Sequence, residues 1–509
     1  MLNEEGCVLK QQTCKRLLGF LLLSFILITT CSMASPLFPL HTGVDQNCFL
    51  TVGKAMLSGK VPYRDLYEQK GPLLYGLHAL AALVDSNGFF GVYLLEILNL
   101  TWTLWLFGRM ASLFLPDRLE MPAAALSGLV TVTAYCFSRG DNAEEFCLPL
   151  VLYGLYAMLR CTEAGSLPAG RVHMLCGIFA GMILWIKFTM LGFYIVWVLF
   201  FFVETIRQRK YRQAIGQCLL FLGGMLLTAL PWLVYFAYHH ALYDFFYVYF
   251  YSNIFLYSRS ASWILRIGGV LVQDVFHNFC MTALCLGGVL YFMLAKTSCK
   301  QKTTRIAITA TYVGLYFFVF VGGVRYRYYL LIMAGYCVFG VIALLRLWSH
   351  MSGERCKRML KLALPVLYGL AIYPASNCRY YFGKPDSYYP QIQFAELIQQ
   401  NKRQEEVSLL NYCFLDGGFY LESGARLPDT RFFCRLNIPS SQLPQMYAEQ
   451  DRIVQQGEVE FVVVRYRLRE HLWRKEPCAA LTERYTLLGT ASEPHDAYQY
   501  ELYQLNPET

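Results

Sequence analysis

Charged residues are scarce in this chain. Asp, Glu, Lys and Arg make up 16% of its 509 residues, whereas hydrophobic residues make up 56%, and the mean hydropathy is +0.36. A soluble domain has about 25% charged residues, so this composition excludes an ordinary soluble protein. Repeated apolar runs close to the ~20 residues that cross a bilayer indicate a multi-pass membrane protein instead. We therefore assign most of the net charge of +9 to cytoplasmic loops and not to a nucleic-acid-binding surface.

Zinc-type cysteine spacings, internal repeats and low-complexity linkers are also lacking. Without a CxxC pair or a Cys/His cluster, the 18 cysteines do not predict a zinc site. Many of them lie in apolar runs, where Cys behaves as a small apolar residue. Four others lie in the polar C-terminal part and are able to pair if it faces an oxidising compartment: Cys378, Cys413, Cys434 and Cys478.

The apolar runs predict about eleven spans with the N-terminus in the cytoplasm and the C-terminus outside. This topology puts the basic stretches 204–213, 296–305 and 346–361 on the cytoplasmic side. Residues 174–203 are apolar except for Lys187. One helix of that length would be too long for a span, so we predict two short helices with a turn near Lys187.

The composition changes after Pro374. Residues 1–374 form the predicted transmembrane domain, a mainly α-helical bundle with its first outer loop at about 36–88. A short apolar helix, at 71–84, is expected to lie at the outer membrane interface. Residues 375–509 alternate β-like and helix-like segments, which predicts a small α/β domain on the outer side of the membrane.

The first outer loop holds a cluster of charges, including the carboxylates Asp45, Asp65 and Glu68. An enzyme that transfers a sugar from a lipid phosphate needs a carboxylate to accept the proton of the acceptor hydroxyl. It also needs cations to hold the departing phosphate. Asp45 is the candidate base, and cations stand at predicted outer ends of spans: Lys70, Arg139, Lys187 and Arg325. A divalent metal held by carboxylate oxygens is an optional addition, and the supporting acids or possible metal ligands are Asp65, Glu68 and Glu144.

Each of these residues also has a purely structural interpretation. Loop carboxylates are usually solvated, and Lys70 could be an anchor that meets lipid phosphates. Arg139 and Glu144 could pair and only hold a loop. Lys187 is harder to explain in this way, because an ionisable side chain inside an apolar run is costly and usually functional.

The segment from Asp45 to Tyr75, DQNCFLTVGKAMLSGKVPYRDLYEQKGPLLY, resembles the first outer loop of bacterial GT-C glycosyltransferases. These proteins are similar to dolichyl-phosphate-mannose protein mannosyltransferases and to the lipid A aminoarabinose transferases. Weaker matches are RGDNAEEF (139–146), WIKFT (185–189), RYRYY (325–329) and YLESGARLPDTRFF (420–433). The resemblance implies a catalytic role for Asp45, with Glu68 as the acidic residue ahead of Lys70. Gln46 departs from the pattern, since many relatives have a second acid there, and this weakens the case for a metal ligand.

The resemblance further implies a polyprenyl-phosphate sugar donor, inversion at the anomeric carbon and action at the outer face of the bacterial inner membrane. We therefore interpret the chain as an integral-membrane glycosyltransferase that acts on an envelope glycan, glycolipid or protein, surrounded by membrane lipids. The alternative is a transporter or flippase of lipid-linked sugars. Transporters usually show repeats and place polar groups near the bilayer midplane, whereas the charges here gather at one face. An envelope ligase or polymerase would share this topology and differ at Asp45.

Overall fold

The computed structural model describes the chain except for residues 1, 257–267, 270–271, 273–275, 322–325, 352–364, 367, 468–476, 494, 496 and 508–509, and except for the side chains of residues 2–13, 350 and 351. The chain divides into two compact units. The helical unit comprises Met1–Ser32, Tyr93–Trp232 and Arg259–Arg379. The mixed unit comprises Met33–Val92, Leu233–Ser258 and Tyr380–Thr509.

Helices account for most of the described chain. The α-helices are α1 Leu2–Cys31, α2 Val44–Leu57, α3 Pro72–Val84, α4 Phe90–Ala111, α5 Glu120–Thr133, α6 Ala143–Glu163, α7 Gly170–Lys187, α8 Gly192–Arg207, α9 Tyr211–Tyr238, α10 Leu242–Phe245, α11 Phe279–Leu294, α12 Lys302–Phe320, α13 Cys337–Met351, α14 Pro390–Asn401, α15 Phe419–Ser423, α16 Pro444–Gln456 and α17 Ala479–Arg484. A π-helix covers Phe246–Leu256, and 3₁₀ segments include Phe188–Leu191 and Arg327–Tyr336.

Six helical segments among the described residues are long and apolar enough to cross a membrane. They are Cys14–Cys31, Phe90–Ala111, Gly170–Arg207, Tyr211–Tyr238, Lys302–Phe320 and Arg327–Ser349. Several present large apolar side chains outward, such as Leu199 on α8 and Leu226 on α9. Such a surface suits contact with lipid. The mainly helical membrane fold is confirmed, while the count of about eleven spans stays a prediction.

The break in the long apolar run at Lys187 is confirmed. The 38 residues from Gly170 to Arg207 would be about 57 Å long as one helix, against ~30 Å of bilayer hydrocarbon. The chain resolves this mismatch by ending α7 at Lys187 and starting α8 at Gly192 after one 3₁₀ turn.

The C-terminal part of the mixed unit is a small α/β domain, as predicted. Its sheet has the order β1-β2-β4-β3, with strands β1 Leu409–Tyr412, β2 Phe461–Arg467, β3 Tyr485–Glu493 and β4 Tyr498–Leu505. Strands β1 and β2 are parallel, and the other pairs are antiparallel. The core is formed by apolar residues of β1, β2 and α16, such as Leu410, Val462 and Ile453. Because the mixed unit also contains residues 33–92 and 233–258, the first outer segment packs in the same unit as this sheet. The domain boundary at residue 374 stays a prediction.

Helices α11 and α13 pack closely through two glycines. A Cβ added at Gly288 would lie 2.2 Å from the backbone nitrogen of Gly340, whereas one added at the neighbouring Gly287 would meet nothing within 4 Å. Small residues allow this close backbone approach between membrane helices.

We therefore expect Gly288→Ala to force the two helices apart and to destabilise the protein by about 1–3 kcal/mol. Gly287→Ala is the matched control in the same helix, and it should leave stability unchanged or raise it by up to about 1 kcal/mol. Thermal unfolding of the purified protein in detergent measures both changes. Equal midpoints for the two variants would contradict the close contact.

Candidate active site

Asp45 lies on a helix and not in an extended loop. The segment predicted as the first outer loop contains α2 and α3, and Asp45 stands in the first turn of α2. An acidic side chain is favourable there because the helix N-terminus carries a partial positive charge. The turn before the helix is closed by Asn47, whose side-chain amide donates to the carbonyl oxygens of His41 and Gly43 at 2.7 Å each. The candidate base is therefore mounted on an ordered element.

Lys70 pairs directly with Asp45. Its Nζ lies 3.5 Å from Asp45 Oδ2, and the two side chains are only 13% and 19% exposed. The same ammonium lies 5.2 Å from the ring centroid of Phe49, one turn further along α2. This arrangement combines an ion pair with a cation–π contact. Two residues that the sequence assigned to base and phosphate-binding roles are thus brought together.

Glu68 is buried and holds the backbone of Lys70 through a hydrogen bond. Its Oε2 accepts hydrogen bonds from the backbone N–H of Lys70 at 3.0 Å and from the hydroxyl of Tyr75. Burial raises the pKa of Glu68, and the nearby Lys70 cation opposes that rise. The hydroxyl of Tyr63 donates to the carbonyl of Lys70 at 2.7 Å. Glu68 therefore fixes the backbone that carries Lys70.

Asp65 shapes a neighbouring turn. Its carboxylate accepts from the backbone N–H of Val61 at 2.7 Å and pairs with Arg64 at 2.8 Å. The hydrogen bond from Arg64 lowers the pKa of Asp65. These contacts fit the role of a loop organiser.

Sequence reasoning missed Tyr63 and Tyr75. Both are fully buried inside the segment that resembles GT-C proteins. A buried tyrosine hydroxyl needs a hydrogen-bond partner, and each of these meets the Glu68–Lys70 turn. Tyrosines five and seven residues from a candidate cation were therefore the available signal.

The C-terminal domain contacts α2 at Cys48 and Thr51. Thr51 donates to Oδ2 of Asp416 at 2.6 Å, and the thiols of Cys48 and Cys434 lie 3.8 Å apart. Among the described residues, no disulfide joins the four cysteines that were predicted to be able to pair. Burial raises the pKa of Asp416 to about 6, against hydrogen bonds from Thr51 and from other donors that lower it.

The helical unit contains a second cluster. Lys187, at the C-terminal end of α7, forms an ion pair with Glu144 in the first turn of α6. Both charges suit the helix ends at which they stand. The ammonium of Lys187 lies 3.5 Å from the ring centroid of Tyr329 and 5.2 Å from that of Tyr328. Glu144, Tyr328 and Tyr329, which come from two of the other weakly matching segments, therefore meet Lys187 of WIKFT.

Arg139 is buried in a strained turn of the helical unit. Ser138 and Asp141 have positive φ values of 59° and 53° on either side of it. The backbone N–H of Asp141 donates to Glu96 Oε1 at 2.8 Å, and Ser32 donates to Glu96 Oε2 at 2.7 Å. Such strain persists only where surrounding contacts enforce it. The ion pair of Glu144 is formed with Lys187, and not with Arg139 as the structural interpretation had it.

The remaining predicted groups are accounted for as follows. Arg325 lies outside the described residues. Within the described ranges, no group of three His, Cys, Asp or Glu side chains is arranged to hold a metal ion. In the mixed unit, Asp65 pairs with Arg64, and Glu68 accepts a hydrogen bond from the backbone of Lys70. Glu144 pairs with Lys187 in the helical unit. The optional metal ion stays a prediction.

Comparison with known proteins identifies the fold. No protein-family model matches the sequence, and no curated protein matches it either. The crystal structure of ArnT from Cupriavidus metallidurans bound to undecaprenyl phosphate matches with a TM-score of 0.63 and 13% identity, over 97% of this chain and 98% of that chain. The fold is that of ArnT.

ArnT in the apo state gives a TM-score of 0.61, also at 13% identity, over 99% of this chain and 98% of that chain. These two matches confirm the GT-C fold predicted from the sequence. The match includes both the transmembrane helices and the C-terminal α/β domain, because nearly all of each chain is covered.

The raised pKa of Asp416 predicts a pH-dependent stability. Folding raises this pKa from 3.8 to about 6, so the folded state binds the proton more tightly than the unfolded state. The contribution of Asp416 to the free energy of unfolding must then fall as the pH rises from about 4 to 6, by about 3 kcal/mol in total, and stay constant above. Asp416→Asn removes this titration. We expect the wild type to lose stability relative to Asp416→Asn between pH 4 and pH 7, as measured by unfolding in detergent. A stability difference that does not change with pH would contradict the burial of this carboxyl group.

Proposed function

We propose that this protein is an integral-membrane glycosyltransferase that moves a sugar from a polyprenyl-phosphate donor to an envelope glycan, glycolipid or protein acceptor. The observation that carries the proposal is the ion pair of Asp45 and Lys70, 3.5 Å apart at the start of α2, in a chain with the ArnT fold. An ArnT structure is bound to undecaprenyl phosphate, which supports a donor of that class here. We place the reaction at the outer face of a bacterial cytoplasmic membrane, with the N-terminus inside and the C-terminal domain outside.

In the proposed reaction, the Asp45 carboxylate accepts the proton of the acceptor hydroxyl. The hydroxyl oxygen attacks the anomeric carbon as the bond between that carbon and the phosphate oxygen breaks. The polyprenyl phosphate leaves with the bonding electrons, and attack from the opposite side inverts the anomeric configuration. The Lys70 ammonium stabilises the negative charge on the departing phosphate.

The cluster around Lys187 supplies a second candidate for phosphate binding. A cation that is 8% exposed and lies against tyrosine rings is already desolvated, so its attraction for an anion is strong. We propose that Lys187 contacts the donor phosphate, with Arg139 and Arg325 as further candidates. Glu68, Asp65 and Glu144 are proposed to orient these cations and the loops around them.

Asp45→Asn tests the proposed base, because Asn keeps the size of the side chain but cannot accept the proton. We expect the rate of transfer to fall about 100- to 1,000-fold with folding intact. The measurement is transfer by purified protein from a panel of radiolabelled polyprenyl-phosphate sugars to membrane extracts. Asp117→Asn, at a carboxylate that is 79% exposed, is the control for the loss of charge and should retain full activity.

Nearly full activity of Asp45→Asn would refute the base assignment. If wild-type protein transfers no sugar but moves lipid-linked sugar across liposomes, the chain is a transporter and the proposed function is wrong.

Lys187→Met and the double variant Lys187→Met/Glu144→Gln separate a structural ion pair from a phosphate contact. The single variant leaves the Glu144 charge buried and unpaired, which should cost about 3–5 kcal/mol of stability. The double variant removes that charge, so its stability should recover. If Lys187 binds the donor phosphate, the double variant folds but transfers sugar at least about tenfold more slowly. Recovery of both unfolding midpoint and transfer rate would show that the pair is only structural.

A further inference from the structure

One side of α2 connects the candidate base to the C-terminal domain. Cys48 lies three residues after Asp45 and three before Thr51, so it is adjacent to each of them on the helix surface. Cys48 and Thr51 both contact the C-terminal domain, at Cys434 and Asp416 respectively. That domain therefore packs on the face of α2 next to Asp45.

Asp416 joins α2 to the sheet. Its Oδ1 accepts from the side-chain amide of Asn411 at 3.1 Å and from the backbone N–H of Gly418 at 2.9 Å, and its Oδ2 accepts from Thr51 at 2.6 Å. Asn411 is part of β1. This fully buried carboxylate accepts hydrogen bonds from Thr51 on one side of the interface and from Asn411 and Gly418 on the other. It therefore fixes α2 and the C-terminal domain relative to each other in distance and in direction.

The backbone next to Asp416 also approaches the start of α2. Gly418 has a φ of +91°, and a Cβ there would lie 2.9 Å from Oδ1 of Asn47. Asn47 closes the turn in front of Asp45. Glycine is needed at this position both for its backbone conformation and for the close contact.

The same domain holds the segment that carries Lys70. Arg431 donates to the carbonyl of Tyr63 at 2.6 Å, and its own carbonyl accepts from the backbone N–H of Tyr67 at 2.7 Å. Tyr63 in turn donates to the carbonyl of Lys70. Both partners of the Asp45–Lys70 pair are thus supported by one stretch of the C-terminal domain, residues 416–434.

We propose that Asp416 is a positioning residue for sugar transfer: through its hydrogen bond with Thr51 it fixes α2, and so holds the Asp45 carboxylate in register with Lys70. This inference rests on the proposed function. A displacement of about 1 Å at a reacting group can cost about 100-fold in rate, so a contact that controls the placement of α2 has a direct effect on turnover.

The stability of the fold gives no reason for a carboxylate at this position. Burial raises the pKa of Asp416 to about 6, so its ionised form destabilises the folded state at neutral pH. Functional sites often keep groups that are unfavourable for stability. The carboxylate accepts three hydrogen bonds at once, which a neutral amide in the same place cannot do without turning a donor toward one of them.

The test uses three threonine variants of the full-length protein in lipid nanodiscs. Thr51→Val removes the hydroxyl at constant shape, and Thr51→Ser keeps it. Thr101→Val is the matched control, because it removes a buried hydroxyl that bonds to the carbonyl of Ile97 in its own helix, at 2.7 Å. Two experiments are done on each variant. Steady-state kinetics give kcat and KM for the lipid-linked donor per folded enzyme, and amide hydrogen exchange is measured for α2.

We expect Thr51→Val to lower kcat at least about tenfold with KM within about twofold, and to speed exchange in α2. Thr51→Ser and Thr101→Val should match the wild type in both measurements. Combining Thr51→Val with Asp416→Asn should reduce kcat by less than the product of the two single effects, because both remove the same contact.

An unchanged kcat in Thr51→Val, whatever its unfolding midpoint, would show that the contact is only structural and would overturn the inference. If wild-type protein transfers no sugar at all, the proposed function fails, and amide hydrogen exchange still tests whether the Thr51–Asp416 contact fixes α2. Unaltered exchange of α2 in Thr51→Val would show that the contact does not fix the helix, whereas faster exchange in that variant alone would show that it does.

Discussion

A charged group that is buried in this protein is stable only where a partner of opposite charge or a set of hydrogen bonds replaces water. This constraint explains the local structure around both clusters. In the mixed unit, Lys70 is placed between the Asp45 carboxylate and the Phe49 ring, and its backbone is held by Glu68. In the helical unit, Lys187 ends a helix, pairs with Glu144 and lies on Tyr329. Each cation is therefore held in one position by a carboxylate and an aromatic ring, and each is kept partly free of water.

The mixed unit is assembled from segments that are far apart in the sequence. Its α/β domain has a core of its own, formed by β1, β2 and α16. Its residues 416–434 nevertheless reach out of that core to Thr51, Tyr63 and Tyr67. The C-terminal domain therefore contacts both α2, which carries the candidate base, and the segment that carries Lys70.

Local patterns were sufficient to predict several of these features. The break at Lys187 followed from the length of an apolar run, and the α/β character of the C-terminal part followed from alternating segments. Asp45, Glu68 and Lys70 were named as candidates from one continuous motif, but their contacts with one another were not predicted. Strand β3 was not predicted, because its run YTLLGTASE mixes polar residues with a glycine at a bulge. The contact of Thr51 with Asp416 was also beyond reach, since neither residue lies in a pattern and 365 positions separate them. The helical membrane character and the α/β domain could thus be predicted from run length and alternation, and the GT-C fold from the resemblance, whereas the contacts that support the site are tertiary and leave no local pattern.

The long separation between these partners has a consequence for biosynthesis. At about 5–20 residues per second, a ribosome adds the 365 residues between Thr51 and Asp416 in about 20–70 s. During that interval α2 has left the translation machinery without the domain that it packs against. The ion pair of Asp45 and Lys70 reaches its final geometry only when nearly the whole chain has been made. A prematurely terminated chain would insert its helices into the membrane and still lack an organised site, so the cell gains no partly active fragment from incomplete synthesis.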